Sequence, residues 1–151
     1  MILINSISVK FGIMMREYIW HNSKFLAKIE NLPYGIRSYY CYENSISELE
    51  NLPITLKNFQ CYDNQILKIN NLPPNLKLLH VGYNQITKIE NLPWHLEDLW
   101  IVMNPATKII NLPNTLYLFF FDKHIISPKN NSSKVKPFSL KSIVINYILD
   151  H

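Results

Sequence analysis

Residues 51–70 read NLPITLKNFQCYDNQILKIN, and closely similar 20-residue stretches lie on both sides of them. The shared tripeptide Asn-Leu-Pro begins at five places spaced by 20 residues without a slip: Asn31, Asn51, Asn71, Asn91 and Asn111. A fixed period in the twenties is typical of a solenoid, in which each unit contacts only its neighbours. The repeated residues then build the frame, so recognition is expected at the positions that vary from copy to copy.

Each tripeptide supplies positions 1 to 3 of a unit, and apolar residues recur at fixed places after it. Positions 6, 9, 11, 16 and 19 of the unit at 51–70 are Leu56, Phe59, Cys61, Ile66 and Ile69. Position 14 is Asn in four consecutive copies, namely Asn44, Asn64, Asn84 and Asn104. Because an amide side chain both donates and accepts hydrogen bonds, this column is predicted to be a structural ladder that satisfies main-chain groups after each strand.

The unit L-x-x-L-x-L-x-x-N-x-I-x-x-I, followed by x-N-L-P, resembles a leucine-rich repeat. Its length and its Leu-Pro before the first core leucine are most similar to the short class found in secreted bacterial effectors. The resemblance covers residues 31–126, with a weaker copy at 11–30, and it implies a leucine-rich-repeat solenoid with a curved parallel sheet on the concave side. The high Ile and Asn content with little Ala and Gly also resembles repeat proteins of giant amoeba-infecting DNA viruses.

Alternation within each unit predicts a strand, since positions 9 and 11 are apolar while positions 8, 10 and 12 vary. The predicted strands are Ser38–Tyr42, Asn58–Tyr62, Leu78–Gly82, Asp98–Val102 and Leu118–Asp122. Copies related by translation make these strands parallel. Proline at position 3 keeps the preceding residue out of the α region, so the convex side is predicted to be extended or irregular.

The chain divides into an N-terminal cap with a degenerate repeat at 1–30, five 20-residue repeats at 31–130, and a linker with a C-terminal capping helix at 131–151. Apolar residues from Leu140 to Ile148 recur at helical spacing. They predict a short amphipathic helix over 139–149 that covers the last unit or, alternatively, binds a partner. The N-terminal stretch lacks a basic leader and a small-residue cleavage site. We therefore expect no signal peptide and an intracellular, cytoplasmic location, in the host cell if the protein is viral.

The outward strand positions form the candidate binding face, because proteins of the family that this chain resembles bind partners on the concave side. The predicted partner-binding residues are Tyr40, Tyr42, Glu43, Tyr62, Asp63, His80, Tyr83, Asp98, Trp100 and Phe120. Exposed aromatic side chains anchor protein interfaces, and the carboxylates would set a charge preference. The alternative is that the aromatic residues only pack against one another across neighbouring strands.

Catalytic chemistry lacks support in the sequence. The histidines fall at unrelated unit positions, and only His80 beside Asp63 could act as a pair. No nucleophile motif, phosphate loop or metal-ligand spacing accompanies them, so we expect no catalytic residues, no metal, no cofactor and no enzyme activity. Cys41 and Cys61 both occupy the inward position 11 and are predicted to be reduced core thiols.

The net charge of +4 and the pI near 9.0 first suggest nucleic acid as a partner. The basic residues, however, lie at positions 7 and 18 among glutamates, while the aromatic positions have acidic neighbours. That arrangement argues against nucleic acid, and no apolar run approaches the ~18 residues of a membrane span. The sequence therefore predicts a non-catalytic protein–protein interaction module with an unidentified protein partner. The alternatives are a nucleic-acid-binding repeat protein that uses the Lys and Arg flanks, or a self-associating structural repeat protein.

Overall fold

The structure, a computed structural model, describes residues 6–7, 18–21, 24–106, 109–122 and 143–146. Within these ranges the strands form one sheet in the order β1 to β8. The strands are β1 Ser6–Ile7, β2 Tyr18–His21, β3 Ser38–Tyr40, β4 Asn58–Gln60, β5 Leu78–His80, β6 Asp98–Trp100, β7 Leu118–Phe121 and β8 Ile143–Asn146. β1 is antiparallel to β2, and every later neighbouring pair is parallel.

The sequence period sets the register of the sheet. From β2 to β7, residues exactly one unit apart face each other, as in the series Tyr39, Phe59, Leu79. Parallel strands in this register, one per 20 residues, confirm the predicted solenoid. The register also places equivalent positions of successive units side by side in columns. A position that is apolar or aromatic in every unit therefore forms a continuous apolar or aromatic stripe in the core or on the surface.

The core is built from the predicted inward columns. Tyr39, Phe59, Leu79 and Leu99 at position 9 are fully buried, as are Cys41 and Cys61 at position 11. The rings of Tyr39 and Phe59 stack with centroids 6.0 Å apart. Burying such side chains is the main stabilising term, at about 1.5–3 kcal/mol for each large apolar residue.

Each unit returns to the sheet through a turn that the proline opens. The carbonyl of Pro53 accepts a hydrogen bond from the backbone N of Leu56 at 3.0 Å, and the same contact recurs in the other described units. On the side away from the strands, isolated parallel bridges join Lys68 to Lys88 and Ile89 to Ile109. The repeats contain no helix in the part of the chain that the structure describes, so the extended convex side is confirmed.

The asparagine of each Asn-Leu-Pro tripeptide has a backbone role that the sequence analysis missed. All five of these residues have φ of 55–56°, which is the left-handed region that β-branched and bulky residues avoid. Asparagine tolerates this region because its short polar side chain can bond locally. The left-handed conformation recurs just before each leucine and proline, which explains why Asn is repeated there.

The position-14 asparagines connect each unit to the one before it. Asn64 Oδ1 accepts a hydrogen bond from the backbone N of Ile46 at 3.0 Å, and its Nδ2 donates to the carbonyl of Cys41 at 2.7 Å. Asn84 and Asn104 repeat both contacts one and two units later. These side chains are 3–9% exposed, so they satisfy main-chain groups that water cannot reach.

The strands end earlier than predicted. β3 stops at Tyr40 rather than Tyr42, although Cys41 N still donates to the carbonyl of Gln60 at 2.9 Å. Two residues later, position 13 takes a positive φ of 50° at Glu43 and 56° at Asp63. A left-handed residue breaks the extended path, which shortens the regular strand in each unit.

The predicted C-terminal helix over 139–149 is wrong at the four of its residues that the structure describes. Ile143–Asn146 form β8, parallel to β7, with Leu118 opposite Ile143. The edge of β7 offers unpaired backbone donors and acceptors, and the β-branched run Ile143, Val144, Ile145 favours a strand. The remaining helix positions, and part of the proposed N-terminal cap, lie outside the described residues.

Candidate binding face of the sheet

The strand register gathers the position-10 side chains into one column across five strands. Its members are Tyr40, Gln60, His80, Trp100 and Phe120. Trp100 is 37% exposed and the other four are half-buried. We call the surface formed by positions 8, 10, 12 and 13 of these units the concave face.

The aromatic rings of the concave face form two stacked groups. In the first, Tyr42 and Tyr62 have ring centroids 4.3 Å apart, and Tyr40 meets Tyr42 edge-on at 6.0 Å. In the second, Trp100 lies between its neighbours, 4.8 Å from the ring of His80 and 4.2 Å from that of Phe120. The rings therefore do pack across neighbouring strands, while Tyr62 and Trp100 still expose 40% and 37% of their surface.

A polar contact holds the tyrosine group in place. The hydroxyl of Tyr42 donates to Oε1 of Gln60 at 2.8 Å. Burial raises the pKa of Tyr42 to about 12, with further contributions from Tyr40, Tyr62 and Cys41. Tyr42 consequently stays neutral and keeps its role as a hydrogen-bond donor at physiological pH.

His80 is paired with Asp98 and not with Asp63, the one partner that the sequence had made plausible. Nε2 of His80 lies 3.2 Å from Oδ2 of Asp98. The pairing joins position 10 of one unit to position 8 of the next, and Asp63 lies instead on the exposed bend after β4. Asp98 is 9% exposed, so this predicted contact residue lies beneath the surface, and its Oδ1 has no hydrogen-bond partner in the described structure.

Position 13 forms the exposed border of the concave face. Glu43, Asp63 and Tyr83 are all exposed there, and Tyr83 exposes 51% of its surface. Met103 continues the column at 46%. The carboxylate of Asp122, in the neighbouring position 12, instead binds the backbone of the preceding unit. Its Oδ2 accepts a hydrogen bond from the backbone N of Met103 at 2.7 Å.

The basic flanks are partly neutralised by their neighbours. Nζ of Lys77 lies 2.6 Å from Oε1 of Glu97, and Nζ of Lys88 lies 2.8 Å from Oε2 of Glu90. These exposed pairs contribute little to stability. In both pairs, however, a glutamate lies beside a lysine on the basic surface that would have to bind a nucleic acid, and it reduces the positive charge there.

A second exposed apolar column went unrecognised in the sequence. It occupies position 4, in the turn after each proline, and includes Tyr34, Ile54 and Trp94 at 81%, 61% and 77% exposure. A shallow groove of ≈ 480 Å³ beside Trp94 is lined by Pro74, Asn75, His95 and their neighbours. The signal was present in the sequence, because position 4 is apolar in most copies although it belongs to none of the core columns.

Reactive groups are not assembled into a site in the described ranges. Cys41 and Cys61 are free and buried, and burial, followed by the hydrogen bond and charge of Cys61, raises the pKa of the Cys41 thiol. Among these residues no three of the His, Cys, Asp and Glu side chains are grouped so as to hold a metal ion. In the same part of the chain, no helix is long and apolar enough to cross a membrane.

Comparison with known proteins supports the fold. No protein-family model matches the sequence, and no curated protein matches it. Among solved structures the chain is similar to YopM from Yersinia enterocolitica WA-314, a leucine-rich-repeat bacterial effector, with 26% identity and a TM-score of 0.63. The similar region covers 72% of this chain and 25% of that one, so the likeness spans only a quarter of YopM. With its parallel strands spaced by 20 residues, the chain has a solenoid fold that fits leucine-rich repeats of the short class.

Proposed function

We propose that the chain is a non-catalytic protein-interaction module whose concave face docks a partner protein. The observation that carries the proposal is the pair of stacked, partly exposed aromatic groups, Tyr40–Tyr42–Tyr62 and His80–Trp100–Phe120. Trp and Tyr dominate the binding energy of protein interfaces because they offer large contact areas.

Stacking makes these side chains suitable anchors before any partner arrives. Immobilising a flexible side chain at an interface costs roughly 0.5–1.5 kcal/mol. Trp100 is already held between two rings, and Tyr42 is held by the ring of Tyr62 and by Gln60. Little conformational entropy would therefore be lost in ordering these side chains when a partner binds.

The frame beneath the face supports the same role. Each strand from β3 to β7 is paired on both sides, and the position-14 asparagines fix the end of one strand to the unit before it. Because the sheet is rigid, its side-chain columns keep the same positions whether or not a partner is bound, which favours binding to a pre-organised surface.

The test compares two double variants that remove the same residue types from different surfaces. A partner would first be isolated by affinity capture from the native host cell and then produced in pure form. Tyr40→Ala with Trp100→Ala should weaken its binding about a thousandfold, since each anchor is worth about 2 kcal/mol and every ~1.4 kcal/mol is tenfold. The control, Tyr34→Ala with Trp94→Ala, removes a Tyr and a Trp from position 4 and should leave the affinity within about threefold.

Calorimetric titration gives both affinities, and circular dichroism checks that each variant keeps its sheet. If binding survives loss of Tyr40 and Trp100 but fails without Tyr34 and Trp94, the concave face is the wrong surface. The docking surface would then be the position-4 column.

A further inference from the structure

We propose that the concave face selects an extended segment rich in arginine or lysine, an inference that rests on the docking function proposed above. Three features of the face support it: its charge, the chemistry of its exposed rings, and the environment of one buried carboxylate. Together they fit a cationic partner and disfavour an acidic one.

The charge of the face opposes that of the chain. Positions 8, 10, 12 and 13 between residues 38 and 122 contain Glu43, Asp63, Asp98 and Asp122 and no Lys or Arg. The whole chain has a net charge of +4, and Lys123, which follows directly, lies outside the described residues. A cationic segment would therefore be repelled by the molecule in general and attracted by this face in particular.

The exposed rings offer a second kind of attraction for a cation. A guanidinium or ammonium over the face of Trp or Tyr is attracted by the negative face of the ring, and arginine can also stack its plane on the ring. Tyr62 is 40% exposed and Tyr83 is 51% exposed, and each adjoins the exposed border that contains Glu43 and Asp63. Rings and carboxylates are thus interleaved on one border.

Asp98 supplies the third feature. It is 9% exposed, and Oδ1 has no hydrogen-bond partner in the described structure, while Oδ2 meets only His80. A buried carboxylate oxygen without a donor is destabilising, because it has lost its contacts with water and gained no partner. A guanidinium that entered beside Trp100 and shifted the ring of His80 would supply the missing donor.

The dimensions of the face set the length of the segment. From β3 to β7 there are four strand spacings, or about 19 Å at about 4.8 Å each. An extended segment advances about 3.3 Å per residue, so about six residues cross the face and every second side chain points towards it. An alternating sequence of arginine and a small residue meets this geometry.

Fluorescence anisotropy with labelled alternating hexapeptides tests the proposal. The probes are Arg-Ser, Lys-Ser and Glu-Ser repeats, each measured at roughly 20 mM and 150 mM salt because screening weakens exposed charge pairs. The chain of residues 1–151 should bind the Arg-Ser repeat most tightly, bind the Lys-Ser repeat more weakly, and leave the Glu-Ser repeat unbound.

Two charge-matched variants locate the binding. Glu43→Gln with Asp63→Asn removes two charges from the concave border and should weaken Arg-Ser binding about tenfold or more. Glu48→Gln with Glu50→Gln removes the same charge from two exposed residues outside the face and should change it less than about twofold. Asp98→Asn should also weaken it, with little change in its salt dependence.

Each contrary outcome has a distinct meaning. The inference is overturned if the Arg-Ser repeat does not bind at low salt, if both variant pairs lose the same affinity, or if the Glu-Ser repeat binds equally well. If the peptides fail but an isolated partner still loses affinity on removal of Tyr40 and Trp100, docking on the concave face stands and only the cationic preference is wrong.

Discussion

Oδ1 of Asn84 accepts a hydrogen bond at 2.9 Å from the backbone N of Ile66, a residue of the preceding unit. The same amide donates through Nδ2 to the carbonyls of Cys61, Val81 and Gly82 at 2.9, 3.1 and 3.0 Å. One buried side chain therefore satisfies main-chain groups in two units at once. Stability should be sensitive to this position although it contributes no apolar surface.

Replacing Asn84 with Ala should lower the free energy of unfolding by about 3 kcal/mol, because it leaves several buried polar groups without partners. Urea denaturation followed by circular dichroism measures the change. Asn75→Ala is the control, since Asn75 is exposed in a turn, and it should stay within about 0.5 kcal/mol of the parent. If Asn84→Ala lowers the free energy of unfolding by less than about 1 kcal/mol, water takes over the hydrogen bonds that Asn84 makes to the main chain.

Met103→Asn should stabilise the protein by about 0.5–1 kcal/mol. Met103 has φ of 56°, a conformation that asparagine adopts more readily than methionine, and its side chain is 46% exposed. Leu67→Asn, at a residue 47% exposed and without a positive φ, should give no such gain. Thermal denaturation of both variants decides the matter, and equal or lower midpoints for Met103→Asn would contradict the backbone argument.

The protein should lose stability in alkaline solution. Burial raises the pKa of Tyr42 to about 12 and raises the pKa values of Tyr39 and Cys41 well above their ordinary range. Because the folded pKa values are the higher ones, their contribution to stability is complete below the unfolded values of 9.0 and 10.0. It is lost as the pH rises from there through the folded values.

Urea midpoints measured between about pH 8 and pH 11 should therefore fall steadily with pH. The variant with Tyr39→Phe and Tyr42→Phe lacks two of the three groups and should show a shallower fall. A midpoint that stays constant over this range would mean that these groups ionise as easily in the folded protein as in the unfolded chain.

Cys41 and Cys61 should be inert towards thiol reagents in the native protein. Both are fully buried and free, so a reagent cannot reach either sulfur in the folded chain. Burial also raises the pKa of the Cys41 thiol, which therefore offers almost no thiolate. Mixing with an aromatic disulfide reagent should release little colour until urea unfolds the chain, when both thiols should react. Fast reaction of either thiol in buffer would show that the first repeats open locally.

The repeat frame could be predicted from the sequence because one local pattern recurs at constant spacing. Tyr39 and Phe59 face each other across β3 and β4 for the same reason that they stand 20 residues apart in the chain. The period also identifies the apolar interior and assigns Cys41 and Cys61 to it, and both are fully buried.

The contacts of individual side chains could not be predicted in the same way. His80 pairs with Asp98 rather than Asp63, and the choice depends on which neighbouring unit each side chain leans towards. The helix predicted over 139–149 failed at Ile143–Asn146 because a short apolar run fits a buried strand as well as a helix. The exposed edge of β7, which the local pattern does not encode, decides between them.

The constant register has a consequence for how such a protein can change over evolutionary time. Duplicating one block of 20 codons would insert a strand between two others and leave the pairing of every remaining strand unaltered. The concave face would lengthen by about 4.8 Å for each block. An insertion of one residue inside a strand would instead turn interior side chains outward, so duplication of whole blocks is a path by which the sheet can grow without disturbing its core.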